Sequence, residues 1–348
     1  MEKEKKPLIL GIETSCDETA LSLVQEGKVL ISLVSSQIKD HQKFGGVIPE
    51  IAARKHLEVL PTLFSELLKE TKKTPEEIDL ISVTRGPGLV GALLVGSSFA
   101  KGLAVSLQKP LLPVNHVHAH VHGALLSLES AQKDIFPALS LVVSGGHTNL
   151  FYMKSSTDFD LISSSLDDAC GECFDKVAKM LGLSYPGGPI IEKIALKGNP
   201  EKIKMPRMMA KNHSLDFSYS GLKTHVYYLL KGKPKLTEQE KADICASFQD
   251  NAFEQIIRRL KQATKKAPQL KSILIAGGVA ANKRFRQLLD EHLDTPCVFP
   301  KLKYCSDNAA MVAAYAEALY HKKNGRIKKN YDFDVCSRYH QMILKKED

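Results

Sequence analysis

Four histidines stand in seven residues of NHVHAHVHG (115–123), at positions 116, 118, 120 and 122. On a helix, residues four apart share a face, so His116 would pair with His120 and His118 with His122. Two neutral imidazoles at that spacing can hold one metal ion. Spacing does not choose between the pairs, and purely structural histidines are the alternative. No Glu follows the first His in HExxH order, so the built-in general base of a zinc protease is absent. A third ligand has to come from elsewhere. Asp307 in SDNAAM (306–311) is a candidate, although an Asp ahead of a helix is equally a good N-cap. Two His and one carboxylate would leave coordination positions open to a substrate.

Three polar turns could hold an anion. GIETSCDET (11–19) gathers Glu13, Thr14, Ser15, Asp17, Glu18 and Thr19. Its small hydroxylic residues leave backbone N–H groups open to phosphate, although turn chemistry alone selects the same residues. VVSGGHT (142–148) sets two glycines between strands, which permits close backbone approach to a ligand but also suits a plain hairpin. IAGGVAANKRF (275–285) ends an apolar strand in two glycines and starts a helix at once. That helix start could face a phosphate or a base edge. The segment lacks the GxGxxG pattern, and GxxxxGK[ST] occurs nowhere in the chain. CGEC (170–173) has CxxC spacing, but no second CxxC accompanies it and it opens an amphipathic helical pattern. It reads as structural.

The frame around these groups reads as α/β. Leu8–Ile12, Ala20–Val24 and Val29–Val34 form an antiparallel meander. A helix follows over 48–71, with Ile51, His56, Leu57, Leu60, Leu63, Phe64 and Leu67 at helical spacing. Ile78–Val83 is a strand, RGPGLVG (85–91) a Gly-rich turn, 91–107 a helix and Leu111–Val114 a strand leading into the histidine run. A second round begins with strands at 138–143, 149–153 and 160–164. After a helical middle come a strand at 272–276, a helix at 279–292, a short strand at 297–299 and a last helix at 308–321. The repetition implies a diverged internal duplication: two similar α/β lobes enclosing a cleft, with the polar turns facing it. The expected division is 1–115 plus 300–348 for one lobe and 116–299 for the other.

The chain has 348 residues, 43% hydrophobic and 25% charged. That length suggests about two domains, and the apolar content excludes wholesale disorder. No apolar run reaches the roughly 18 residues that span a bilayer. The start, MEKEKKPLIL, has charges of both signs and no apolar core, so neither a secretory signal nor a transit peptide is expected. Seven cysteines without pattern point to reduced thiols and a cytoplasmic location. With 48 Lys+Arg against 39 Asp+Glu, the net charge of +9 permits a polyanionic partner such as RNA, though solvated lysines give the same number. KGKPK (231–235) reads as an exposed loop. KKNGRIKKN (322–330) has five basic residues in nine and reads as a solvated tail or a nucleic-acid patch.

Eight segments occur in order along nearly the whole chain: GIETSCDET, the NHxxxH spacing within the histidine run, VSGGHT, GExFDKxAKxLGL (171–183), YPGGP (185–189), FSYSGLKT (217–224), AGGVAANxxFR and SDNAAM. Together they resemble the tRNA N6-adenosine threonylcarbamoyltransferase family, and SGGH resembles its bacterial TsaD branch. Cys170 and Cys173 stand where that family often has Ala.

The resemblance implies an actin-like, sugar-kinase-like ATPase fold with two ribonuclease-H-like lobes around a nucleotide cleft. It implies transfer of the threonylcarbamoyl group from threonylcarbamoyl-AMP to the N6 amine of the adenosine beside the anticodon (position 37), in tRNAs reading codons that begin with A, with release of AMP. It implies a divalent metal, iron(II) ahead of zinc, on His116, His120 and Asp307. Val142, Val143, Ser144, Gly145 and Gly146 would line the donor site. Asp175 and Glu192 would reach the nucleotide sugar with Gly188 alongside, and Gly277, Gly278 and Asn282 would hold the adenine side. A non-catalytic paralogue (TsaB-like) and a small ATPase (TsaE-like) would be partners, and no membrane is implied. The exocyclic amine is a poor nucleophile, so Glu13 or Asp17 would accept its proton or orient it. The rival readings are a small-molecule kinase of the same fold and a non-catalytic tRNA-binding scaffold.

Overall fold

The structure is a computed structural model that describes residues 6–128, 134–209, 214–233, 235–267 and 269–339. The chain forms two compact units, one that ends at Ser127 and resumes at Ser306, and a second spanning Leu128–Cys305.

The first unit opens with the meander β1 (Ile9–Glu13), β2 (Glu18–Gln25) and β3 (Lys28–Ser36), then α1 (Ile38–Gln42) and α2 (Pro49–Thr71). β4 (Leu80–Gly86), α3 (Val90–Ser106), β5 (Leu111–Asn115) and α4 (His116–Leu125) follow. The second unit repeats the plan with β6 (Ala138–Val143), β7 (Thr148–Ser155) and β8 (Asp158–Ser164). Its helices are α5 (Cys170–Met180), α6 (Gly187–Ala195), α7 (Ser220–Leu230) and α8 (Glu238–Lys266). It closes with β9 (Ser272–Ala276), α9 (Lys283–His292) and β10 (Cys297–Val298), and the chain returns to the first unit as α10 (Ala309–Lys322).

The expected duplication is visible in the sheets. The first has strand order β3-β2-β1-β4-β5 and the second β8-β7-β6-β9-β10. In each, the opening three strands pair antiparallel and the last two add parallel to the first. β1 and β4 are buried along their whole length, as central strands covered on both faces must be. Edge strand β3 alternates exposed and half-buried positions.

One face of the first sheet packs Leu10, Ile12, Leu21 and Leu23 against Leu60, Leu63 and Leu67 of α2 and Ala100 and Ala104 of α3. On α10, Ala309 and Ala313 come so close to β1 that a Cβ on Gly11 would lie 2.2 Å from the Ala309 carbonyl oxygen. Gly11 and the alanines of AAMVAAYAEAL thus let α10 seat directly on the sheet. The core of the second unit is aromatic: Phe253 stacks on Phe174 and on Phe285, at ring separations of 5.4 and 4.7 Å.

Four expectations change or are filled in. The first unit extends past residue 115 to include the histidine helix, because Asn115 both ends β5 and caps α4, and α4 packs on α10. The helix expected over 279–292 is two elements, a 3-10 turn at Gly278–Ala281 and then α9, because Asn282 caps Phe285 and restarts the helix. Cys170 and Cys173 are buried thiols in the second core, and burial pushes Cys170 up to about 12. Lys231–Lys233 and Lys235 are exposed; Pro234 of that expected loop lies outside the described residues.

Candidate metal centre and glycine turns

α4 begins at a defined point. The Asn115 side chain accepts the backbone N–H groups of Val117 and His118 at 2.8 and 3.2 Å, an N-cap that starts the helix at His116. His116 and His120 therefore stand one turn apart, with ring centres 4.6 Å apart. Asp307 reaches both: its Oδ1 lies 3.7 Å from His116 Nε2 and 3.1 Å from His120 Nε2. One ligand atom from each of the three lies within 4.8 Å of the others.

Asp307 is not the cap of α10. Asn308 takes that role by accepting the Met311 N–H at 3.0 Å. The choice that sequence leaves open between cap and cluster is thus resolved by the next residue.

Two observations test whether a metal fits. Neither ring nitrogen of His120 has a hydrogen-bond partner among the described residues, although the side chain is buried. Its Nε2 is near Asp307 in distance but not in hydrogen-bonding direction, and an orphaned buried donor set of this kind needs a further partner. Bonds of ~2.1 Å would also place adjacent ligand atoms ~3.0–3.4 Å apart; the 3.1 Å separation lies in that window and the 3.7 Å one is slightly wider, so a small side-chain movement closes the set. The residues fit a divalent ion.

Glu13 supports this cluster from behind. It is fully buried. Its Oε2 lies 3.1 Å from His116 Nδ1 and accepts the Thr84 hydroxyl at 2.5 Å, and its Oε1 accepts the Ser15 N–H at 2.6 Å. A carboxylate on Nδ1 directs Nε2 of the same ring toward a metal. Burial raises the Glu13 carboxyl, but His116 outweighs it and holds the group below its ordinary value. Burial likewise disfavours the His116 imidazolium, yet Glu13 and Asp307 push it up to about 9.

Thr14 and Thr19 of the ETSCDET turn are tied down. Thr14 Oγ1 donates to Ala92 O at 2.9 Å. His56 lies 2.8 Å from Thr19 Oγ1 and 3.0 Å from the Cys16 carbonyl, a satisfied core histidine. Asp17 is buried. Glu18 next to it is pushed up to about 9 by burial and by the Asp17 and Asp307 charges.

His118 and His122 face elsewhere. His118 Nδ1 lies 3.2 Å from the Tyr315 hydroxyl and Nε2 lies 2.9 Å from the Tyr339 hydroxyl, while the His122 ring packs on Tyr315. Burial, with His122 beside it, pushes His118 down to about 3. No local pattern announces this; the two tyrosines lie 197 and 221 residues further along the chain.

In the second unit, the turns after the parallel neighbours β6 and β9 leave the same end of the sheet, where α/β folds bind ligands. Val142 and Val143 are buried in β6 and Ser144 is buried at its end, whereas Gly145 and Gly146 are exposed with open space around their Cα atoms. The Ser144 carbonyl accepts the Gly171 N–H at 3.1 Å, joining this turn to α5. Gly277 has φ +91° and lies so near β6 that a Cβ would be 2.4 Å from the Val143 carbonyl oxygen. Gly278 is exposed.

The carboxylates expected at a sugar accept backbone N–H groups here: Asp175 from Gly187 at 2.7 Å and Glu192 from Lys283 at 2.7 Å. Gly188 beside them has open space. Asn282 is committed to Phe285 N and to Gln249 Oε1, both at 2.9 Å. Sequence reasoning missed the neighbouring hub of Asp167 and Asp168. Asp167 accepts the Ser218 and Ser220 hydroxyls at 2.6 Å each, and Asp168 accepts Lys176 and Lys223 at 2.6 and 2.5 Å. The hub fixes the FSYSGLKT segment; the paired Asp167-Asp168 was its signal.

Residues 28–314 match the family model TsaD, described as tRNA N6-adenosine threonylcarbamoyltransferase. The chain is 46% identical over 342 residues to the protein of that name from Chlamydia caviae, covering 96% of each chain. It is 46% identical over 318 residues to the one from Thermosipho africanus, covering 90% of this chain and 95% of the relative. Among solved structures, (R)-2-hydroxyglutaryl-CoA dehydratase component A of Acidaminococcus fermentans matches with a TM-score of 0.53 at 15% identity, over 92% of this chain and 100% of that one. That likeness bears on fold alone and agrees with the actin-like class.

Proposed function

The chain belongs to the tRNA N6-adenosine threonylcarbamoyltransferase family, and on that premise we propose how its residues divide the work. It is a transferase that places a threonylcarbamoyl group on N6 of a tRNA adenosine. The donor is threonylcarbamoyl-AMP, the acceptor is adenosine 37 of tRNAs reading codons that begin with A, and AMP leaves.

His116, His120 and Asp307 hold one divalent metal, iron(II) in preference to zinc. When bound, it supplies a Lewis-acid contact that fixes the donor. Glu13 keeps the His116 ring in the ligating orientation; with both oxygens committed and no exposure, it is a positioning residue and not the proton acceptor. Asp17 takes the acceptor role, orienting the amine and receiving its proton.

Val142, Val143, Ser144, Gly145 and Gly146 form the donor turn. The backbone N–H groups of Gly145 and Gly146 stabilise charge on the departing phosphate. Asp175, Gly188 and Glu192 border the sugar, and Gly277, Gly278 and Asn282 the adenine. Catalysis is then mainly positioning of a weak nucleophile against a fixed carbonyl. A TsaB-like paralogue and a TsaE-like ATPase act with this chain in the cytoplasm. No helix among the described residues is long and apolar enough to cross a membrane.

The observation that carries this reading is the approach of Asp307 to two histidines one helical turn apart. The protein, with its partners, is incubated with threonylcarbamoyl-AMP and unmodified tRNA, and the tRNA is digested for mass spectrometry of nucleosides. The expected result is threonylcarbamoyl-adenosine, lost in His116→Ala and Asp307→Ala. Phosphorylation of a small molecule without tRNA would support the kinase instead, and tRNA binding without product the scaffold.

A further inference from the structure

The basic segment 322–330 is not a free tail. The Gly325 N–H returns to the Tyr320 carbonyl at 2.9 Å, and Gly325, at φ +73°, turns the chain off α10. Beyond the segment, the chain is fastened to the first unit at successive points. Tyr331 Oη donates to Lys109 O at 3.0 Å, Lys101 Nζ to Phe333 O at 2.8 Å and Arg85 Nε to Asp334 O at 2.8 Å. The Cys336 N–H donates to Arg85 O at 3.0 Å, and the Tyr339 hydroxyl bonds His118 on α4. Lys101 also lies 4.3 Å above the Phe333 ring.

Between the end of α10 and these fastening points, Lys323, Arg326, Lys328 and Lys329 are exposed. None of the four has a carboxylate within 4.0 Å among the described residues, whereas Lys55, Lys73, Lys176 and Arg207 each do. Holding four like charges in seven residues is unfavourable in itself and is offset by an anion. The charges stand spaced along an exposed, largely irregular backbone. That arrangement suits spaced phosphates along a polymer better than one small anion. The segment also lies at the far end of the helix whose N-terminal side carries Asp307. Fourteen residues at ~1.5 Å rise give about 20 Å between them, within reach of nucleotides flanking a base presented to the ligand cluster.

We propose that residues 322–330 bind the phosphate backbone of the substrate tRNA. The proposal rests on the transferase reading above and adds the surface that holds the RNA. The fastening by residues 331–339 presents the cations without the ordering cost that a flexible tail would carry on binding.

The test measures binding of unmodified tRNA to the full-length chain by fluorescence anisotropy across a salt series. The combined variant Lys323→Ala, Arg326→Ala, Lys328→Ala and Lys329→Ala is expected to bind at least ~10-fold more weakly at low salt. Its log–log salt slope should fall by roughly one for each phosphate that is no longer neutralised. In turnover assays the damage should fall on KM for tRNA. The charge-preserving set Lys323→Arg, Arg326→Lys, Lys328→Arg and Lys329→Arg should keep wild-type affinity and slope, which separates a missing charge from a damaged fold. Unchanged tRNA affinity and slope in the alanine set would overturn the proposal. So would equal damage in both sets, or loss of binding to an acidic partner protein with tRNA binding intact. Wild-type protein that makes the modified nucleoside while the alanine set binds tRNA normally would sink this surface and leave the transferase reading standing.

Discussion

Asn308 and Asp307 are adjacent, yet one caps a helix and the other faces two histidines. Asn308 Oδ1 accepts the Met311 N–H at 3.0 Å, while Asp307 Oδ1 lies 3.1 Å from His120 Nε2. The cap fixes where α10 starts, and the start fixes where Asp307 can point. Asn308→Ala should lower stability by about 1 kcal/mol through the missing cap, or ~2–4 °C in melting temperature for a unit of this size. Asp307→Ala should instead abolish metal retention after dialysis, measured by elemental analysis, with little change in the melt of metal-free protein. Equal loss of melting temperature in both would mean that Asp307 shares the cap.

Glu13 touches His116 from the side opposite Asp307. Glu13→Gln keeps the shape and removes the charge that fixes the ring. Metal affinity should fall ~10–100-fold, the usual cost of losing such a supporting carboxylate. A competitive chelator titration reads this directly. Affinity within twofold of wild type would show that Thr84 and Ser15 suffice to hold the turn and that the carboxylate is dispensable.

Asp168 gives a pH prediction away from the metal cluster. Burial raises its carboxyl, but hydrogen bonds from Lys176 and Lys223 outweigh that and hold it below its ordinary value. A lowered folded value means the folded chain releases the proton more readily than the unfolded chain. The stabilisation is therefore present above the unfolded value of ~3.9 and is lost as pH falls through the lower folded one. Lys176 is 39% exposed, so its share is screened and the total is about 1 kcal/mol. Urea midpoints of wild type and Asp168→Asn should differ at pH 6 and converge below pH 3. A constant difference across that range would assign the effect to packing.

Much of the frame was legible because it follows from local pattern. Strand β1 carries the apolar run ILGI and β9 the run ILIA, of the kind that suits a doubly covered strand, and each has a counterpart at the matching place in the other half. What could not be read depended on distant partners. His116/His120 and His118/His122 have the same spacing; Tyr315, Tyr339 and Asp307 distinguish them, and no rule of spacing reaches that far. The break in the helix after Gly278 was hidden for a different reason. Asn282 is compatible with a helix interior, and its capping role appears only with Gln249 holding its amide. The histidine helix fell outside the expected first unit because β5 is short and α4 follows it without a linker.

The two glycine turns of the second unit should respond oppositely to the same substitution. At Gly277 the backbone is left-handed and a Cβ would lie 2.4 Å from the Val143 carbonyl oxygen. Gly277→Ala must therefore move β6 or β9, and a loss of more than ~2 kcal/mol is expected from combined strain and overpacking. At Gly145 the space is open and φ is not in the left-handed region, so Gly145→Ala should fold with wild-type stability. Its methyl group would then occupy room that a bound phosphate needs. Affinity for a non-hydrolysable donor analogue, measured by calorimetry, should fall at least tenfold while the melting temperature holds. Wild-type analogue affinity in a stable Gly145→Ala protein would remove the VSGG turn from the donor site, whatever Gly277→Ala does.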